Sequence, residues 1–147
     1  MAIIKTKTFT NVSPLYTPDN AEVCGSPIRV DFPSTALIAG DLILLATIPA
    51  GVSIADYRGF MPDIDSGGSA AFAFSLGVAN AGLTDLATVL QASLTVGQAS
   101  GVFRATNADH IALDSTVDRV LAIKVTTAAA TYAGIGKVGR VIVDLEG

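Results

Sequence analysis

Period-two alternation of apolar and polar residues, interrupted again and again by turn formers, is the feature that most limits the folds open to this chain. Ile28, Val30 and Phe32 alternate with Arg29 and Asp31, and Pro33 closes that strand. Phe72, Phe74, Leu76 and Val78 make one large apolar face, with Ala71, Ala73, Ser75 and Gly77 opposite. Val117, Arg119, Leu121, Ile123 and Val125 share one face of a strand; Asp118, Val120, Ala122, Lys124 and Thr126 share the other. Val141, Val143 and Leu145 alternate with Arg140, Ile142 and Asp144. The stretch from Asp41 to Ile48 is apolar without alternation, which predicts cover on both faces, from the partner sheet on one and a loop or another subunit on the other.

Shorter strands are expected at Val52 to Tyr57, Val102 to Thr106 and Ile111 to Leu113. Breakers separate them: Ser13-Pro14, Thr17-Pro18-Asp19-Asn20, Pro62 to Gly68, Asn80-Ala81-Gly82 and Gly134-Ile135-Gly136. Only Leu83 to Ala92 has helical spacing, with Leu83, Leu86, Ala87 and Leu90 on one side and Thr84 or Asp85 as a cap. The 147 residues suit one domain with one core. The expectation is an all-β chain: a jelly-roll β-sandwich of two antiparallel sheets with at most one short helix, spanning residues 1–147. Phe72, Phe74, Leu76, Leu121 and Ile123 are its expected core.

Hydrophobic residues make up 50% and charged residues 15%, a balance that excludes intrinsic disorder. The net charge of -4 argues against a nucleic-acid or anionic-membrane partner, both of which need a basic footprint. Thr35 to Ala55 has about the length of a membrane span, but Asp41, Pro49, Gly40 and Gly51 break it, and a buried pair of strands fits better. Lys5 and Lys7 follow Ile3 and Ile4 at once, leaving no export signal, so synthesis in a cytoplasm as a soluble chain is expected. Without export, Asn11-Val12-Ser13 is no glycosylation acceptor.

Catalytic residue types are scarce. Gly134 to Gly139 matches G-x-G-x-x-G, but a strand pattern follows where a dinucleotide site needs a helix, so a hairpin turn is expected. Asp63, Asp65 and Gly68 begin like a calcium loop, yet Gly67 and Phe74 stand where ligands are required. An exposed loop, with Asp65 and Ser66 capping its turn, is the better reading. His110 is the one histidine, expected on a surface loop, and Cys24 the one cysteine, expected as a packed thiol. No nucleophile-elbow sequence occurs. The chain is therefore expected to be no enzyme and to need no metal or cofactor.

The N-terminus is more informative. Ile3, Lys5, Lys7 and Phe9 fall on one face and Ile4 with three threonines on the other, and neither makes a good core face. Residues 1–10 thus read either as an edge strand guarded by lysines or as an arm that adds to a partner's sheet.

The order of these features resembles the small cement, or head decoration, proteins of tailed bacteriophages. The resemblance rests on Lys5 to Thr10, on Gly40 to Leu45 running into Ile48-Pro49-Ala50-Gly51-Val52, and on Asp63 to Gly68. It continues through the strand ending at Leu76-Gly77-Val78 and through Val125 to Thr131 leading into the closing strand. The acidic close, Asp144-Leu145-Glu146-Gly147, departs from the bulky ending associated with that family. The resemblance implies a jelly-roll virion protein on the outer surface of the capsid. Its expected partners are the major capsid protein and further copies of itself, as a dimer or trimer. Ile3, Lys5, Lys7, Phe9, Leu42 and Leu44 are the expected contact residues. The competing reading is a binding module of a head fibre or tail that recognises host carbohydrate, with Tyr16, Tyr57 and Tyr132 as its aromatic platform.

Overall fold

The computed structural model describes residues 1–12, 15 and 23–147, with Cys24 described by its backbone alone. The N-terminal breakers Ser13-Pro14 and 17–20, Tyr16 and the Cys24 thiol lie outside the described residues. Nine strands are described: β1 Ile3–Lys5, β2 Val23–Asp31, β3 Leu42–Ile48, β4 Ser53–Met61, β5 Ala73–Ala79, β6 Leu86–Leu94, β7 Gly101–Arg104, β8 Arg119–Thr127 and β9 Val138–Glu146. The one helical element among these residues is a 3-10 turn, Val96–Gln98.

The strands form two sheets, ordered β1-β3-β8-β5-β6 and β2-β9-β4-β7. Within them β2 pairs with β9, β3 with β8, β4 with β7 and β5 with β6, all antiparallel. That nesting, first with last and inward to the middle, is a long ribbon wound into a sandwich, the strand order of a jelly roll. The expectation of purely antiparallel sheets fails at one place. β1 pairs with β3 in parallel, because the chain passes through β2 in the opposite sheet before it returns as β3.

Alternation places the core where the sequence has it. Ile28, Val30 and Phe32, Phe72, Phe74 and Leu76, Leu121, Ile123 and Val125, and Val141, Val143 and Leu145 are all buried in one cluster between the sheets. β3 does not alternate for two reasons. A bulge between Leu44 and Ala46 lets the neighbours Leu45 and Ala46 both join the main core. Leu42 and Leu44 face the other way and are buried with Ala122 in a second cluster, against Phe9, Leu83 and Leu86 of the same chain.

Three local expectations are corrected. Leu83 to Ala92 contains no helix: residues from Leu86 onward form edge strand β6, whose pairing with β5 slips repeatedly. Each slip inserts an extra residue on β6, so Leu90 and Leu94 point into the main core at a helix-like interval of four, while Leu86 packs against the Leu42–Leu44 cluster on the other side of the sheet. Gly77 permits the close approach, since a Cβ there would stand 2.1 Å from the Thr88 carbonyl oxygen. Ile111 to Leu113 is a run of turns; Ile111 N–H donates to Ala108 O at 3.0 Å and its side chain is exposed. The glycines at 134–139 form no hairpin. Gly136, at φ +72, completes a tight turn in which Lys137 N–H donates to Gly134 O, and β9 follows in the sheet opposite β8.

Candidate functional site

The N-terminal segment is fastened to the outer edge of β3. Asp41, buried just before that strand, takes the Ala2 N–H on Oδ1 at 2.6 Å and the Ile38 N–H on Oδ2 at 2.9 Å. Thr6 N–H donates to Leu44 O, and the Thr6 hydroxyl donates to Leu45 O while accepting from Phe9 N–H. These bonds lay Phe9, half-buried, over the Leu42–Leu44 cluster, with the Lys5 ammonium 5.9 Å from its ring centroid. The expected contact residues therefore separate into two groups. Ile3, Lys5 and Lys7 are exposed along a sheet edge, whereas Leu42 and Leu44 are fully buried by their own chain. The apolar character of β3 is satisfied internally and calls for no neighbouring subunit.

Asp65 is neither a cation ligand nor an exposed turn cap. It is buried, and its carboxylate accepts five backbone N–H bonds. Gly67 and Thr131 donate to Oδ1 at 3.1 and 3.0 Å; Ala71, Phe72 and Ala130 donate to Oδ2 at 2.7, 3.0 and 2.9 Å. Three donors from its own loop and two from the loop at Ala130 and Thr131 leave no lone pair free for a metal and hold the carboxyl well below its ordinary range. Among the described residues no group of three or more His, Cys, Asp or Glu side chains is arranged to hold a metal ion.

His110 is buried rather than on the surface. Its Nε2 lies 3.0 Å from Ala55 O, and its ring meets Tyr57 edge-on at 5.3 Å. Arg119, also buried, donates to the carbonyls of Pro49, Val52 and Val117, and so ties the start of β8 to the β3–β4 connection. Burial lowers its pKa from the ordinary arginine value. Tyr57 is fully buried, and Tyr132 spends its hydroxyl on Pro33 O at 2.8 Å, with burial pushing that phenol up to about 12. Tyr57 therefore offers no ring to a sugar, while Tyr132 is half-buried against the core.

The outer face of the β2-β9-β4-β7 sheet is different. Register aligns Arg29, Arg140, Phe60 and Val102 in one row across the four strands, and Pro27, Ile142, Arg58 and Arg104 in the next. Four of the chain's five arginines thus stand together on one face. Arg29 is bonded to Asp31 at 2.9 Å and Arg58 to Asp144 at 2.8 Å, while Arg104 and Arg140 have no carboxylate partner among the described residues. Phe60 and Val102 are 42% and 71% exposed. A shallow apolar-lined depression runs between Phe60, Val102 and Ile142, walled by Arg58, Arg104 and Arg140, so the arginines present their methylene stems to it. Sequence reasoning did not find this surface. Arg29 and Arg140 alternate outward in strands legible from the sequence, but Arg58 lies beyond the strand expected at Val52 to Tyr57, and only the strand order brings the four together.

No protein-family model matches the sequence, and a search of curated proteins found none similar. Among solved structures, the chain is similar to a chain of the capsid of Ralstonia phage GP4: 28% identity over 99% of this chain and 97% of that one, with a TM-score of 0.85. It also shares its fold with a chain of the cyanophage Pam1 capsid asymmetric unit, at 19% identity and a TM-score of 0.59 over 91% and 93% of the two chains. Among the described residues no helix is long and apolar enough to cross a membrane. The end-to-end likeness supports a phage capsid-related β-sandwich with a structural role in the virion.

Proposed function

We propose that this protein is a cement of the phage head, binding the outer surface of the capsid where neighbouring major capsid subunits meet and stabilising the expanded shell. The observation that carries the reading is the likeness to a GP4 capsid chain over nearly the whole of both chains. A second observation supports it: the two buried carboxylates, Asp41 and Asp65, spend both of their oxygens on backbone N–H groups and so hold loops and strands together. The function is then that of a surface and not of a reactive site. Such a binder works by mass action, since it engages the assembled lattice and not free subunits, and several modest contacts gain avidity from simultaneous engagement.

The exposed edge of β1 supplies one contact, through Ile3, Lys5 and Lys7 with Phe9 beside them, and copies associate as a dimer or trimer on the shell. Leu42 and Leu44 serve by seating this edge rather than by touching a partner. Undecorated heads mixed with the purified protein and imaged by electron cryomicroscopy test the reading. The expected result is ordered density at fixed lattice positions outside the shell. Bare shells at saturating protein would overturn it. Lys5→Glu with Lys7→Glu, both exposed, should weaken decoration in a salt-dependent way.

A further inference from the structure

We propose that the arginine-rich outer face of the β2-β9-β4-β7 sheet is a docking surface for an acidic protein surface, one that presents carboxylates around an apolar anchor. The inference rests on the cement reading and names the chemistry of the partner: the acidic patch belongs to the capsid shell.

The warrant is a cost that the isolated chain bears without return. Directly opposed residues on neighbouring strands feel each other's charge, and like charges there are unfavourable. Arg29 stands opposite Arg140, and Arg58 opposite Arg104. In each pair one member has an aspartate, Asp31 or Asp144, and the other has none. Asp56, opposite Asp144 in the adjacent row, forms no ion pair with these arginines, and its carboxylate accepts the N–H of Tyr57. Two unpaired guanidinium groups therefore flank the exposed Phe60 and Val102 on the outer face of β4 and edge strand β7, in a protein whose net charge is -4. Arginine forks take carboxylates bidentately, and a phenylalanine beside them supplies area that leaves water on docking. A second copy meeting this face with its own would bring arginine against arginine, so the complementary occupant is another, acidic surface.

The test uses full-length protein with Arg104→Glu and Arg140→Glu together, undecorated heads as one probe and poly-L-glutamate followed by NMR as the other. The wild type should bind heads with affinity that falls as salt rises, and the double variant should bind at least tenfold more weakly. Its melting temperature should equal or exceed the wild type's, since one arginine of each opposed pair is gone; a structural role for these arginines predicts the reverse. If wild type and variant decorate heads equally, the face is not the docking surface, while the cement reading stands. If neither binds heads, the cement reading fails and the face is judged by poly-L-glutamate alone. Shifts centred on Phe60, Val102, Arg104 and Arg140 support it, and their absence overturns it. Tighter binding of a DNA oligonucleotide than of poly-L-glutamate, or an oligomer of the chain that the variant dissolves, would also overturn it.

Discussion

The two sheets end at outer faces of opposite character. On one, Leu42 and Leu44 of β3 form an apolar surface that the chain covers itself with Phe9, Leu83 and Leu86. On the other, Phe60 and Val102 stay in water among four arginines, and nothing in the described chain lies over them. A continuous apolar run suggests a missing partner, yet here it is met from within. Tidy alternation suggests a satisfied strand, yet here it delivers the unsatisfied surface. Unpaired charge in the company of exposed apolar side chains, and not hydrophobicity alone, is what sets the open face apart.

The comparison is sharpest in the cost of truncation. Phe74, in the core that both faces share, should lose about 3–5 kcal/mol on Phe74→Ala, and Leu44→Ala on the covered face about 2–5 kcal/mol. Phe60→Ala on the open face should cost clearly less, about 1 kcal/mol, while weakening shell binding. Urea denaturation of the three variants checks this ordering. A Phe60→Ala loss as large as that of Leu44→Ala would erase the distinction. Deleting residues 1–10 should lower stability measurably, because it uncovers Leu42 and Leu44, each contributing about 1.5–3 kcal/mol through burial. The exposed Lys5→Glu and Lys7→Glu pair is therefore the cleaner probe of that edge.

Acid should act through Asp65. Its folded pKa lies below the ordinary aspartate value, so the stability it supplies is fully present above about pH 4 and is lost as pH falls through the folded value. The melting temperature of Asp65→Asn should lie below the wild type's at pH 7, and the gap should narrow in acid. A gap independent of pH would mean that the charge is not what holds the two loops.

Much of this fold was legible because alternation survives wherever pairing is regular. The inward sets on β2, β5, β8 and β9 follow directly from period two. β6 was not legible, since its bulges convert a strand's inward positions into the four-residue interval of a helix. Nor was Asp65. The aspartate and glycines looked like a cation loop, and the donors from Ala130 and Thr131 lie 65 and 66 residues away. His110 misled for a similar reason: a polar loop sequence gave no sign of the Tyr57 ring and Ala55 carbonyl that enclose it. At the N-terminus the lysine-guarded edge was visible, but that Phe9 turns back over Leu42 and Leu44 was not.

Stabilisation of a shell by binding across it is the action proposed for this sandwich. Its most direct test is the temperature at which packaged DNA escapes from heads with and without the protein, followed by a DNA-binding dye. Decorated heads should release their genomes at a distinctly higher temperature, and the margin should shrink for the Arg104→Glu, Arg140→Glu variant. Identical release temperatures for decorated and bare heads would contradict the account.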